Sequence, residues 1–212
     1  MCSSDLQRLL ERRARGGVVG VNIGANKDSA NRIADYVKGI EVFEDVANYI
    51  TINISSPNTP GLRNLQTKDD LQHLLSRMNA TRKTKKPMLL KIAPDLTENE
   101  LSDVAQICGG GAVDGVIISN TTLARDGLTS SLAKEAGGLS GRPLFERSTH
   151  CLKVFHQMTG GKIPLIGVGG IHDATSAKAK LAAGASLVQL YSALVYQGPA
   201  LVREICSGLE RA

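Results

Sequence analysis

The chain has 212 residues, of which 42% are hydrophobic and 21% charged, a size that suits about one domain with a real core. No stretch approaches the roughly 18–20 continuous apolar residues of a membrane span, and no charged, apolar, small-residue leader opens the sequence. The net charge of +5 rests largely on RLLERRARGG near the start and RKTKK at 82–86. No aromatic interleaves RKTKK, so a nucleic-acid partner is not expected and the run reads as a solvated helix end.

Taken in order, short apolar runs alternate with segments of helical spacing. VVGVNIG (18–24) precedes the helical segment at 29–48, YITINIS (49–55) the one at 67–83, and PMLLKIAP (87–94) the one at 97–110. GVIISNTT (115–122), IPLIGVGG (163–170) and SLVQLYSA (186–193) precede segments at 148–161, 173–184 and 199–209. The runs are rich in Val, Ile and Leu and alternate little, as strands covered on both faces do. Thr97 with Glu100 fits a capping box, Asp173 opens another helix, and Gly109 and Gly160 are read as stops.

Strand–helix alternation implies parallel strands with crossover helices. A doubly wound sheet and a (β/α)8 barrel both satisfy the pattern of six units. Polar residues and glycines gather at the C-terminal end of nearly every run: Asn22 and Gly24, Asn53 to Asn58, Lys91, Asn120 to Thr122, Gly169 and Gly170. The last run has Tyr191 and Ser192 there. Ligands sit at that edge in both folds, and contributions from every strand favour the barrel. Gly169 and Gly170 permit close backbone approach to a phosphate, or simply a glycine turn between strand and helix. A dinucleotide fingerprint is absent.

NISSPNTPGL (53–62) follows an apolar strand with short polar side chains and two prolines, Pro57 and Pro60, which cannot continue a sheet ladder. It suits an ordinary turn or a stiff loop that positions a small polar ligand. Lys91 interrupts an apolar strand and needs a carboxylate or an anionic cofactor as partner. Asn22, Asn53 and Asn120 are read as a ring of amides at equivalent strand ends. Ser55 and Ser56 are candidate nucleophiles or bases, yet GxSxG is absent and His172 is the nearest histidine to a strand end, which points away from a Ser–His–Asp triad and from hydrolysis. The cysteines Cys2, Cys108, Cys151 and Cys206 are scattered without a CxxC pair and read as reduced thiols. His150 beside Cys151 is the nearest approach to a ligand pair, and no metal is expected.

NISSPNTPGL, LLKIAPDL, ISNTT, GGLSGRPL, IGVGGI and LVQLYSALVYQGP together resemble the quinone-linked, membrane-associated class of dihydroorotate dehydrogenases, from about Val18 to near the C-terminus. The resemblance implies a (β/α)8 barrel with FMN at its C-terminal mouth and oxidation of dihydroorotate to orotate in pyrimidine synthesis. It implies that Ser56 is the base removing the C5 proton, with Thr59 passing it onward, and that the serine, where cytosolic relatives have cysteine, selects the quinone-linked class. It places Asn53, Asn58, Asn120 and Thr121 on the substrate, and Asn22, Asn53, Lys91, Ser119, Gly141, Gly170, Tyr191 and Ser192 on the flavin.

Only the last six βα units of such a barrel are expected. Residues 18–212 read as a partial barrel, and 1–17 as a foreign start, MCSSDL, followed by the helix before strand three. Codons for Cys-Ser-Ser-Asp-Leu occur in a common sequencing adapter, so the chain reads as a truncated frame. The parent is expected at the cytoplasmic face of the bacterial inner membrane, its membrane contact and quinone tunnel lying in the missing N-terminal region. The fragment itself is expected in the cytoplasm. Two other readings stay open: an incomplete barrel that binds phosphate or flavin without catalysis, and another FMN barrel such as a dihydropyrimidine dehydrogenase-type domain.

Overall fold

Each of the six short apolar runs becomes a strand in the computed structural model, which describes residues 3–13, 15–59 and 61–210. The strands are β1 (Gly20–Ile23), β2 (Tyr49–Asn53), β3 (Met88–Ile92), β4 (Gly115–Ile118), β5 (Leu165–Val168) and β6 (Leu187–Gln189). All are parallel and lie in sequence order, β1-β2-β3-β4-β5-β6. The helices are α1 (Ser3–Arg13), α2 (Arg32–Phe43), α3 (Lys68–Thr81), α4 (Glu98–Ile107), α5 (Phe145–Met158), α6 (Ala174–Ala182), α7 (Ser192–Gln197) and α8 (Ala200–Glu210). This is a curled part of a (β/α) barrel, as the placement of polar groups at the strand ends implies.

Strand alternation sends odd and even residues to opposite faces. Ile50, Ile52, Met88, Leu90, Ile92, Val116, Ile118 and Leu165 face the helices and pack on Tyr36, Ile40, Phe43, Leu71, Leu74, Leu75, Met78, Leu101, Val104, Leu152 and Phe155. Burying one such Leu or Ile is worth about 1.5–3 kcal/mol, so this layer carries the fold. The inner face has a smaller apolar floor of Leu89, Ile117 and Ile166, with Tyr49 and Val168 against it. Further along the same strands that face turns polar, at Asn53 and Lys91, which are register partners.

The Thr97–Glu100 capping box forms, and Asp173 caps α6. Gly160 follows α5 with φ +58°, but Gly109 is not the residue that turns the chain after α4. A wide π-type turn spans Cys108–Ala112 and the left-handed conformation falls on Gly111, because the chain needs those extra residues to reach Val113. α5 starts at Phe145, three residues before the expected Ser148. α7 is an extra short helix after β6.

RKTKK does follow a helix, and Lys83 and Lys85 are exposed there as expected, but the rest of the run is engaged. Arg82 reaches the carbonyl of Lys86 and the carboxylate of Asp114, and Lys86 Nζ donates to the carbonyls of Glu44 (2.6 Å) and Asp45 (2.9 Å). The backbone N–H groups of Lys83 and Thr84 donate to the buried Glu44 carboxylate. A buried carboxylate must be satisfied, and this basic run supplies its donors. Pro60, Met1 and Cys2 lie outside the described residues; residues 3–6 of MCSSDL begin α1. Cys108 and Cys151 are buried free thiols and Cys206 an exposed one.

Candidate functional site

The site is built where β2, β3 and β4 end. Asn53 closes β2, and the buried Tyr36 hydroxyl, its pKa pushed far up by desolvation, donates to the Asn53 carbonyl at 2.7 Å. Asn120 Nδ2 donates to Asn53 Oδ1 (3.2 Å) and to Ser55 Oγ (3.1 Å), and its own Oδ1 accepts the Thr121 N–H at 2.8 Å. Ser55 is fully buried and its Oγ lies 2.8 Å from the Lys91 carbonyl. Ser55 is therefore tied into the scaffold, whereas Ser56 is half-buried on the loop, with its Oγ accepting the Asn58 N–H at 3.3 Å.

One guanidinium ties this loop to its neighbours. Arg63 Nε donates to the Ser55 carbonyl (3.2 Å), Nη1 to Asp95 (2.8 Å) and Nη2 to the Thr121 carbonyl (3.0 Å). Asp95 also accepts from the Thr122 hydroxyl and the Leu123 N–H. Thus Arg63 and Asp95 join the loops after β2, β3 and β4. At Gly138 a Cβ would stand 1.8 Å from Thr121 Oγ1 and 2.9 Å from Pro57 Cγ, so only glycine allows the three segments to meet.

Beside this network lies a cavity of about 270 Å³ lined by Lys91, Ser119, Asn120, Thr121, Gly141, Gly170, Tyr191 and Ser192, among others. The Ile118–Ser119 peptide at its wall is cis. Burial alone lowers the Lys91 pKa, with no carboxylate beside it to offset the effect. Among the described residues the Lys91 ammonium has no hydrogen bond or ion pair. At the far wall Gly141 (φ +74°) and Gly170 (φ +78°) approach the start of α7, where Ser192 Oγ is 2.9 Å from Ser140 Oγ. Among the described residues the Gly170 N–H has no acceptor.

Nine of the residues singled out from sequence, these eight and Gly169, thus line one cavity, and Asn53 joins it through Asn120. Ser56, Asn58 and Thr59 sit on the adjoining loop. Asn22 does not join them: it is exposed on β1 and lines a separate hollow with Arg8, Leu9 and Phe43. Nor do the three asparagines form a ring at equivalent positions. Asn22 is in register with Thr51, one pleat below Gly24 and Asn53, while Asn120 lies beyond the end of β4. His172 is engaged elsewhere, with Nδ1 2.7 Å from the Gly170 carbonyl and Nε2 3.5 Å from Asp173. Arg63, Asp95 and Ser140 escaped the sequence reading, because a polar residue in a loop announces no partner. Among the described residues no group of three His, Cys, Asp or Glu could hold a metal ion, and no helix is long and apolar enough to cross a membrane.

A parallel strand–helix array whose polar groups and glycine loops converge at the C-terminal ends defines a (β/α)-barrel protein with a small-ligand site at its mouth. Residues 2–212 match the family model described as dihydroorotate dehydrogenase. The chain is 60% identical over 204 residues to dihydroorotate dehydrogenase (quinone) of Parvibaculum lavamentivorans, covering 96% of this chain and 59% of that protein. It is 54% identical to the protein of the same name from Allorhizobium ampelinum, covering 97% of this chain and 59% of that one. The crystal structure of DHODH from Eimeria tenella in complex with ferulenol superposes with a TM-score of 0.87 at 37% identity, over 96% of this chain and 60% of that one. The ligand-free Eimeria tenella structure gives 0.89 at 36% identity, over 96% and 64%. The chain belongs to the dihydroorotate dehydrogenase family, and it spans about 59% of the length of the curated relatives it matches.

Proposed function

We propose that this chain carries the greater part of the catalytic barrel of a quinone-dependent dihydroorotate dehydrogenase. The parent oxidises (S)-dihydroorotate to orotate in pyrimidine synthesis, hands the electrons through FMN to a quinone, and docks on the cytoplasmic face of the bacterial inner membrane through its N-terminal region. The observation that carries the reading is one cavity lined by an unpartnered Lys91 ammonium and by Asn120, which is bonded to Asn53, with the Ser56 loop packed beside it through Pro57 and Thr121.

The residues fit FMN. Lys91 offers an uncompensated cation to an electron-rich ring, Ser119 lies along the same wall with Asn53 behind it through Asn120, and Gly141, Gly170, Tyr191 and Ser192 would supply backbone N–H groups for a phosphate. Asn22 would reach the ring only from the β1 side. When bound, FMN supplies a hydride acceptor for C6 of the substrate. Asn53, Asn58, Asn120 and Thr121 would hold the planar acid by its amide and carboxylate edges. Ser56 Oγ would take the C5 proton, and the Asn58 N–H directed at that oxygen stabilises it as negative charge develops. Thr59 would carry the proton onward. Arg63 keeps the loop in place and so keeps water from the transfer.

The test is the visible spectrum of the purified chain after FMN addition and desalting. Retained flavin that bleaches anaerobically with dihydroorotate is expected, and Ser56→Ala should slow bleaching by about 10²–10⁴-fold, the range of a positioned base, with flavin still bound. A colourless protein would sink the reading for this chain.

A further inference from the structure

Lys180 is the most thoroughly buried cation in the described chain: it is fully enclosed on α6, behind the wall of the cavity rather than in it. Its Nζ donates to Ser148 Oγ at 2.5 Å and stands 5.2 Å from the centre of the Phe145 ring. No carboxylate lies within ion-pair distance of it among the described residues. A lysine enclosed in this way costs stability unless something nearby uses its charge. Burial holds its pKa down at about 7, with the weaker influences of Cys151 and Glu146 raising it.

Both groups that hold the ammonium also touch the Gly169–Gly170 loop. Ser148 Oγ lies 3.1 Å from the Gly169 carbonyl and 3.1 Å from the Phe145 carbonyl, so its one proton is shared between the loop and its own helix while a lone pair serves Lys180. A Cβ on Gly170 would stand 2.4 Å from Phe145 Cβ and 2.8 Å from its backbone N, so the ring's own residue is the wall behind that glycine. In a trans peptide the C=O and the following N–H point in opposite directions. A Gly169 carbonyl held toward α5 therefore turns the Gly170 N–H away from α5. That N–H has no acceptor among the described residues, and Gly170 lines the cavity shared with Gly141 and Ser192.

We propose that Lys180 is a positioning residue for a phosphate monoester: through Ser148 and Phe145 it fixes the Gly169–Gly170 peptide with its N–H open to the ligand, and it places a buried positive charge behind that loop. The proposal rests on the reading that this wall of the cavity holds the FMN phosphate. Its signature is selective. Riboflavin, which shares the ring and lacks the phosphate, should not sense Lys180.

The experiment compares FMN and riboflavin binding by flavin-fluorescence titration for the unmutated chain, Lys180→Met and Ser148→Ala, with amide hydrogen exchange of residues 169–172 followed in the ligand-free proteins. Lys180→Met is expected to weaken FMN by about tenfold or more, as loss of a charge-assisted contact does, to leave riboflavin unchanged and to speed exchange at 169–172. Ser148→Ala, a milder change that keeps the lysine, should weaken FMN in the same selective way, and it decides the matter if the lysine variant does not fold. Variants that keep the full preference for FMN, or that lose both flavins equally while remaining folded, overturn the proposal and leave the flavin site standing. An unmutated chain that binds neither flavin overturns the flavin reading itself, and the proposal with it.

Discussion

The two sides of the cavity are built from different materials. On the β2–β4 side, side chains do the holding: Asn53, Ser55 and Asn120 bond one another, and Arg63 with Asp95 laces three loops together. On the β5–β6 side, the surface is bare backbone at Gly141 and Gly170, supported from behind by Ser148, Phe145 and Lys180. The difference suits the two ligands proposed for these sides. A planar acid with amide edges is told apart by directed donors and acceptors, which side chains supply. A phosphate is nearly symmetric and is best met by several N–H groups at short range, which only a backbone free of Cβ atoms can bring close.

Gly170→Val should break the backbone side most severely. Its Cβ would collide with Phe145 and φ is +78°, so strain and overpacking together cost about 2–6 kcal/mol. Calorimetry should find a lowered Tm, and fluorescence titration a loss of FMN far exceeding any loss of riboflavin. Arg63→Ala should break the side-chain side. It leaves Asp95 with the Thr122 hydroxyl, the Leu123 N–H and the more distant Arg147, and releases the carbonyls of Ser55 and Thr121, for about 2–3 kcal/mol in denaturant unfolding. FMN affinity should change little, while dihydroorotate-driven bleaching slows, so the two variants separate the two sides.

The smallest effect serves as a control from the other end of the sheet. Burial pushes the Glu44 pKa up, but the N–H groups of Lys83 and Thr84 and the Thr84 hydroxyl more than offset this and hold it below the usual value of 4.5. A carboxyl whose folded pKa is depressed stabilises the fold fully above its unfolded pKa and loses that contribution as pH falls through the folded pKa. Glu44→Gln should therefore cost about 1–2 kcal/mol at neutral pH, flatten the acid side of the stability profile, and leave both flavins bound as before.

How much of this the sequence disclosed depended on whether the signal was local. Strands and caps are local: LLKIAP reads as a strand with an odd lysine, and Thr97 with Glu100 as a helix start, and both stand in the structure. The polar strand ends were legible for the same reason, and seven of them, Lys91, Asn120, Thr121, Gly169, Gly170, Tyr191 and Ser192, do share a cavity. Partners separated in sequence were not. Arg63 meets Asp95 across 32 positions and Glu44 meets Thr84 across 40, and no spacing rule links them. The ring of three asparagines misled because the end of an apolar run is not the end of a strand's register, and Asn22 lies one pleat below Asn53. Lys180 hid among alanines: KAKLAAG looks like a solvated helix, and Ser176 and Ala177, which share its buried face, are too small to mark that face as core.

Strand order has a consequence for how the molecule is made. Each strand pairs only with the one synthesised before it and the one after it, from β1 to β6. Among the described residues no pairing has to wait for a distant segment, so loop-closure entropy is met in small instalments. As each strand–helix unit leaves the ribosome it can dock on an existing edge, and translation itself then sets the sequence of assembly. On that order the Ser56 loop emerges well before the glycine wall, and the cavity between them closes only when the last strand arrives.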